Sequence, residues 1–280
     1  KKHKKKRKIF DNSLQDQLIK NFDFSLTKSQ KTIINEINND IKSNYKMFRL
    51  LQGDVGSGKT IISLIAAANV IKSNHQVALM TPTEILSLQH FNLAKKIFKG
   101  SEVKIEFLSS KTEYRTRKLI LKNLSDGKIN LIIGTHSLFQ ENIKFKNLGL
   151  AIIDEQHKFG VKQRIELSKK GGNDCDILVM SATPIPRTLV LTLYGDMDVS
   201  RLKEKPINRK NIITLSKPEE KIEEVLIFVE NEIKKRNQIF WVCPLIDESK
   251  KLDYTAAVNK FKLLEKRFNK KVGIIHGNLK

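Results

Sequence analysis

The string Gly53-Asp54-Val55-Gly56-Ser57-Gly58-Lys59-Thr60 carries the spacing G-x-x-x-x-G-K-[ST]. Those residue types at that spacing suit the holding of phosphate. Glycines let backbone N–H groups wrap around an anion, and a helix starting at the end of the string adds positive potential. Lys59 can reach the β- and γ-phosphates of a nucleotide, and the Thr60 hydroxyl can ligate Mg²⁺. A second group, Asp154-Glu155-Gln156-His157, follows the apolar run Gly149-Leu150-Ala151-Ile152-Ile153. Two carboxylates at the end of a buried strand are costly without a metal or protons to manage them. Asp154 suits a Mg²⁺ partner of Thr60, and Glu155 suits a general base that activates water. A third group, Ser181-Ala182-Thr183, follows the apolar run Ile177-Leu178-Val179-Met180. Its hydroxyls could sense phosphate or couple domains; taken alone, the tripeptide reads better as a local turn.

Such groups must be brought together by the elements that carry them. Helical spacing of Ile33, Ile34, Ile37 and Ile41 predicts a helix over 27–43. Short apolar runs predict strands over 47–52, 76–81, 103–108, 129–133, 148–153 and 177–180, and helical patterns are expected over 59–73 and 84–98. Apolar runs alternating with helices imply a parallel sheet covered on both faces. Ligands of open α/β sheets bind at the carboxyl ends of the strands, where all three groups fall. Pro206 breaks the pattern, so a linker is expected at 206–210. The alternation then resumes, with strands at 211–215, 239–243 and 272–275 and helices at 219–236 and 254–268.

Composition bounds the class. The chain has 280 residues, 40% of them hydrophobic and 29% charged, a globular composition. The longest apolar stretch, Ile61 to Ile71, is interrupted by Ser63 and Asn69. It falls short of the ~20 residues of a membrane span, so no membrane association is expected. Cys175 and Cys243 fit no metal or redox spacing, which points to a reducing cytoplasm. The net charge of +22 attracts polyanions and suits nucleic acid. A coding bias explains it equally, because 42 of the 52 basic residues are lysine. The first eight residues hold seven Lys/Arg and one His, and read as a nucleic-acid arm or a solvated connector. Residue 1 is Lys rather than Met, so the chain is expected to be a piece of a longer product.

Taken in order, the phosphate-binding string, Asp-Glu-x-His and Ser-Ala-Thr resemble a superfamily 2 helicase motor. Longer strings resemble the RecG family: Leu51 to Thr60, Pro82-Thr83-Glu84-Ile85-Leu86, Ile153 to Val161, Ala182 to Leu189, Leu193 to Ser200 and Val242 to Ile246. The transcription–repair coupling translocase shares part of this pattern. Ser57, Gln156 and Leu193-Tyr194-Gly195-Asp196 favour RecG.

The resemblance implies an α/β fold: a RecA-like P-loop NTPase parallel sheet with helices on both faces, followed by a truncated second RecA-like domain. It divides the chain into a basic connector tail (1–20), a helicase ATP-binding domain (21–205), the linker (206–210) and the start of a second motor domain (211–280). It implies ATP and Mg²⁺ as cofactors, with Gln30 reading the adenine edge and Phe24 offering a stacking surface. His157, Ser181 and Thr183 would couple the nucleotide site to DNA. Pro82, Thr83, Gly134, Thr135, His136, Gln163, Arg164 and Arg187 would touch the DNA backbone; each could equally be a cap or a surface residue. The implied activity is an ATP-dependent DNA helicase that remodels branched DNA in repair and recombination, acting as a monomer. The wedge domain and later motor arginines of the family have no counterpart in the 280 residues, so this chain is expected to bind Mg-ATP and hydrolyse it poorly. A non-catalytic nucleic-acid-binding fragment is the rival reading.

Overall fold

A computed structural model describes residues 3–5, 8, 11–140, 143–154, 172–183, 197–204, 212–243, 250–268 and 271–275. The chain divides into two compact units, Lys1–Arg209 and Lys210–Lys280. The first unit holds helices α1 (Ser13–Lys20), α2 (Lys28–Lys42), α3 (Lys59–Lys72), α4 (Glu84–Ile97) and α5 (Tyr114–Ser125). Its strands are β1 (Phe48–Gly53), β2 (Gln76–Met80), β3 (Ile105–Leu108), β4 (Leu131–Gly134), β5 (Leu148–Ile153), β6 (Asp176–Ser181) and β7 (Asp198–Leu202). They form one seven-stranded sheet in the order β3-β4-β2-β5-β6-β1-β7, with every neighbouring pair parallel.

Period-two alternation of side chains explains why the sheet is covered on both faces. Leu51, Val77, Leu79, Leu131, Ile133, Leu150, Ile152, Leu178 and Met180 point into one core with residues of α1 to α4. Their sequence neighbours Leu50, Ala78, Met80, Ile132, Ala151, Ile153, Ile177 and Val179 point into the other, beneath Ile120 and Leu124 of α5. Truncating any fully buried leucine here would cost about 2–5 kcal/mol. The expected parallel sheet with helices on both faces is therefore present. Among the elements unforeseen from sequence, α1 buries Leu14 and Leu18 against α3, and β7 forms the edge beside β1.

Two expectations are corrected. The basic tail is not simply a solvated connector: Lys5 and Lys8 are buried, and both bind Asp176, at 2.6 and 2.8 Å. The reason is local. Lys4 pairs with Tyr45 as an antiparallel bridge, which carries the tail along the foot of the sheet where β6 begins. In the second unit, strands expected at 211–215, 239–243 and 272–275 do not form among the described residues. A strand needs a ladder partner, and Ile213, Phe240 and Ile275 are 82%, 87% and 92% exposed instead. That unit is described by α6 (Ile222–Lys234) and α7 (Lys250–Phe268), which share a small core of Leu226, Val229, Leu264 and Phe268.

Candidate active site

β1 delivers the phosphate-binding loop. Its residues Leu50 to Gly53 are buried, and the chain turns through Asp54–Gly58 into α3. Gly56 and Gly58 have φ of +77° and +95°, the left-handed region that glycine enters without steric cost. A Cβ on Gly53 would lie 2.7 Å from Ser57 Oγ and 2.8 Å from Leu202 Cβ, so the loop closes tightly on its own base. Thr60 sits one residue inside α3, at the positive end of its dipole.

Lys59 is folded over this loop, its ammonium donating to Gly53 O at 2.6 Å and Asp54 O at 3.0 Å. Ser57 Oγ is buried and, among the described residues, has no hydrogen-bond partner. A buried hydroxyl of that kind costs about 1–3 kcal/mol, so the loop has hydrogen-bonding capacity that the protein itself does not use. An anion seated among the loop N–H groups fits that capacity. The residues present therefore suit a nucleotide's phosphate tail.

β5 delivers Asp154 to the same edge. All strands are parallel, so the ends of β1 and β5 emerge together, separated only by β6. Two strand widths amount to about 10 Å. Asp154 N–H donates to Met80 O at 2.8 Å, which pins the residue to the end of β2. Its side chain follows the parity of Leu150 and Ile152, towards α4, and Oδ2 accepts from His90 Nε2 at 2.7 Å. A carboxylate has no proton to give, so the imidazole carries its hydrogen on Nε2. Sequence reasoning missed His90. The available signal was its place on the sheet-facing stripe Ser87, His90, Ala94, Ile97, where a polar side chain needs a partner.

Between these two, β6 ends in Ser181, whose hydroxyl lies 3.1 Å from Thr183 Oγ1 and donates to Thr183 O at 3.2 Å. Gln52 of β1 donates to the same carbonyl at 3.1 Å. The Ser-Ala-Thr segment is thus tied directly to the strand that carries the phosphate loop. Gln30 is tied to the loop as well. Its Oε1 accepts from Thr27 N–H at 2.9 Å in a capping box at the start of α2, and its Nε2 donates to Ser57 O at 2.9 Å. Phe24 is half-exposed and stacks on Phe22 with centroids 5.0 Å apart, beside a 490 Å³ cavity lined by Ile19, Leu26 and Lys31. Nearby, the N–H of Ser29 holds the Glu204 carboxyl below its usual range.

The segments expected to track DNA share this edge too. Pro82 and Thr83 follow β2, and Thr83 caps α4 by accepting from Leu86 N–H at 3.3 Å. Gly134 ends the adjacent β4 and Thr135 follows it, and Thr81 N–H donates to Gly134 O at 3.0 Å. Gly134 is required there, because a Cβ would come within 2.3 Å of Leu108 O. His136 opens the short 3-10 turn His136–Phe139. Glu155, His157, Gln163, Arg164 and Arg187 lie outside the described residues.

Comparisons with known proteins agree with this arrangement. Residues 27–191 match the family model "DEAD/DEAH box helicase". The ATP-dependent DNA helicase RecG of Bacillus subtilis (strain 168) is 45% identical over 275 residues, covering 98% of this chain and 40% of the relative. RecG of Thermotoga maritima is 43% identical over 274 residues, covering 97% of this chain and 35% of the relative. A solved structure of RecG bound to a three-way DNA junction superposes with a TM-score of 0.80 at 39% identity, over 94% of this chain and 34% of that one. A DEAD box protein from Methanococcus jannaschii, at 20% identity and a TM-score of 0.54, covers 96% of this chain and 71% of that one, and shares the fold. The chain spans about 40% or less of the length of the RecG relatives it matches. The resemblance to RecG read from the motifs holds across nearly all of its length, its sheet has the RecA-like helicase fold, and the chain belongs to the DEAD/DEAH box helicase family.

Proposed function

We propose that this chain is the ATP-binding motor portion of a DNA helicase that remodels branched DNA, as in repair of stalled forks and in recombination. One observation carries the reading. A glycine loop with an unpartnered buried hydroxyl and a buried carboxylate, Asp154, emerge at one edge of the sheet, two strands apart. The similarity to RecG, including the form bound to a three-way DNA junction, supports branched DNA as the substrate.

Magnesium-bound ATP would supply the cleavable phosphoanhydride and the charge that shields its oxygens. The chain supplies the rest. The Gly53–Gly58 N–H groups bind the phosphates, and Lys59 exchanges its loop carbonyls for a phosphate oxygen, a stronger charge-assisted bond. Thr60 and Asp154 hold the metal. Glu155 accepts the proton of the attacking water on a carboxylate oxygen. Gln30 and Phe24 orient the base, with Gln30 already fixed to the loop through Ser57 O. Ser181, Thr183 and His157 connect this site to the loops at 82–83 and 134–136, which with Gln163, Arg164 and Arg187 hold the DNA backbone without reading bases. The chain acts as a monomer in the cytoplasm, a compartment in keeping with a sequence that has only two cysteines, at no metal or redox spacing.

The experiment measures binding of a fluorescent ATP analogue with and without Mg²⁺. It is paired with retention of a three-way DNA junction and of an unbranched duplex of equal length over a salt series. Magnesium-dependent nucleotide binding, tighter retention of the junction, and a steep loss of affinity with salt are expected. Equal retention of both DNAs with no nucleotide binding overturns the proposal in favour of a non-specific polyanion-binding fragment.

A further inference from the structure

The His90–Asp154 hydrogen bond joins the metal side of the site to a helix that neither the phosphate loop nor the Asp-Glu-x-His segment contains. Both side chains are nearly buried, that of His90 being 11% and that of Asp154 10% exposed, and the N–O distance is 2.7 Å. In a buried setting a carboxylate's orientation depends on its hydrogen-bond partners, and an imidazole N–H fixed by its own backbone is a strong one.

His90 is so fixed. It lies on the stripe by which α4 packs against the sheet, one turn from Ser87 and one from Ala94. The first turn of α4 is fastened at the sheet edge, with Ser87 Oγ 2.6 Å from Thr81 Oγ1, which in turn donates to Thr83 O at 2.9 Å. Asp154 is held from the other side by the bond of its N–H to Met80 O. The carboxylate at the end of β5 and the imidazole on α4 are therefore both tied to the segment Met80–Thr83, which leads from β2 into α4.

We propose that His90 is a positioning residue for the magnesium carboxylate: its Nε2–H sets the rotamer of Asp154 and so raises the affinity of the nucleotide site for Mg²⁺. The inference rests on the nucleotide-binding reading above. It predicts a particular split. Removing the donor weakens metal binding and leaves metal-free nucleotide binding intact, because the phosphate-loop hydrogen bonds described run within the loop and to Gln30 rather than to α4. Losing an outer partner of a metal ligand lowers metal affinity about 10- to 100-fold in comparable sites.

The test uses the whole chain. Binding of a fluorescent ATP analogue is titrated with MgCl₂, and its affinity in EDTA is measured separately, for wild type, H90F and H90Q. Phenylalanine keeps a ring for packing and removes the donor. Glutamine returns an N–H near the same place. The expected result is a magnesium midpoint raised at least tenfold in H90F, an EDTA affinity within twofold of wild type, and recovery of most of the midpoint in H90Q. Circular dichroism shows whether H90F is folded; should it not be, H90Q against H90L gives the same contrast of donor and no donor. An unchanged magnesium midpoint in the folded variant without the donor overturns the role of His90 alone. Equal weakening with and without metal, unrelieved in H90Q, also overturns it, as a packing effect. Absence of magnesium-dependent binding in the wild type overturns the nucleotide reading itself, and this inference with it.

Discussion

The two edges of the sheet bury polar groups in opposite ways. At the amino edge, Asp176 opens β6 with no exposure at all. Its Oδ1 accepts from Lys5 Nζ at 2.6 Å and from Met47 N–H at 2.8 Å, and its Oδ2 accepts from Lys5 Nζ and Lys8 Nζ, each at 2.8 Å. The lysines are also satisfied, by Asp40 O at 3.0 Å and Asp174 O at 2.8 Å. At the carboxyl edge, Ser57 Oγ is buried without a partner among the described residues, and Lys59 binds its own loop's carbonyls. A saturated buried cluster stabilises one fold and offers a ligand nothing. An incompletely satisfied one costs stability and can be completed from outside. The contrast separates structural from functional charge where burial alone would not.

The largest expected effect tests the saturated edge. Asp176→Ala strands two buried ammonium groups, and breaking a buried pair in this way costs about 3–5 kcal/mol. Burial already draws the Lys5 ammonium below the ordinary lysine range, with the Asp176 charge opposing it, so the loss of that charge is felt at once. Urea unfolding should show the fall in midpoint, while nucleotide affinity of the folded fraction stays within twofold. A variant that folds as wild type but loses nucleotide would break the contrast.

Lys59→Ala is the mirror experiment. The bonds from its ammonium to Gly53 O and Asp54 O lie within the loop, so unfolding free energy should fall by about 1–3 kcal/mol, less than in Asp176→Ala. Nucleotide affinity should fall about 10- to 100-fold, the loss of a charge-assisted bond to phosphate. Isothermal titration with Mg-ATP checks it, and an unchanged affinity would remove the loop from the site.

A smaller effect reports how tightly the amino edge is sealed. Cys175 precedes Asp176, is fully buried, and burial pushes its thiol up to about 12. Cys243 is exposed. A thiol reagent at pH 8 should label one cysteine in the native chain and both in urea. The linkage sign follows: the folded state keeps its proton to about 12, whereas the unfolded thiol ionises near 9. Stability should therefore be flat in this group's contribution below pH 9 and fall as pH rises through that window. Native labelling of Cys175 as fast as Cys243 would mean the edge opens readily.

How much of this could be read from sequence follows from the distances involved. Strands β1, β2, β5 and β6 are short apolar runs with punctuation at both ends, so periodicity alone marks them. Gly53–Thr60 and Asp154 are legible because a phosphate site needs those residue types at fixed local spacing. Asp176 is not: its partners Lys5 and Lys8 lie 171 and 168 residues away, and a lone Asp before an apolar run looks like a cap. His90 stands 64 residues from Asp154 and reads as a helix residue until the sheet order is known. The second unit misleads in the other direction. Residues 211–215, 239–243 and 272–275 have strand composition, but composition cannot supply the neighbouring strand that a ladder requires.

Ser57→Ala carries the smallest and most discriminating prediction, because its two readouts should move in opposite directions. The hydroxyl is buried without a partner among the described residues, so its removal relieves a desolvated polar group and should leave stability unchanged or raise it by about 1 kcal/mol. Nucleotide affinity should fall about 2- to 10-fold, the worth of one hydrogen bond completed by the bound phosphate. Urea denaturation and nucleotide titration on the same preparation give both numbers. A loss of stability in Ser57→Ala would mean that an ordered water already satisfies the hydroxyl, and the carboxyl edge would then be as saturated as the amino edge. A rise in stability with weaker binding would show the fold holding an unsatisfied group in reserve for its ligand, the trade expected where activity and stability compete for the same atom.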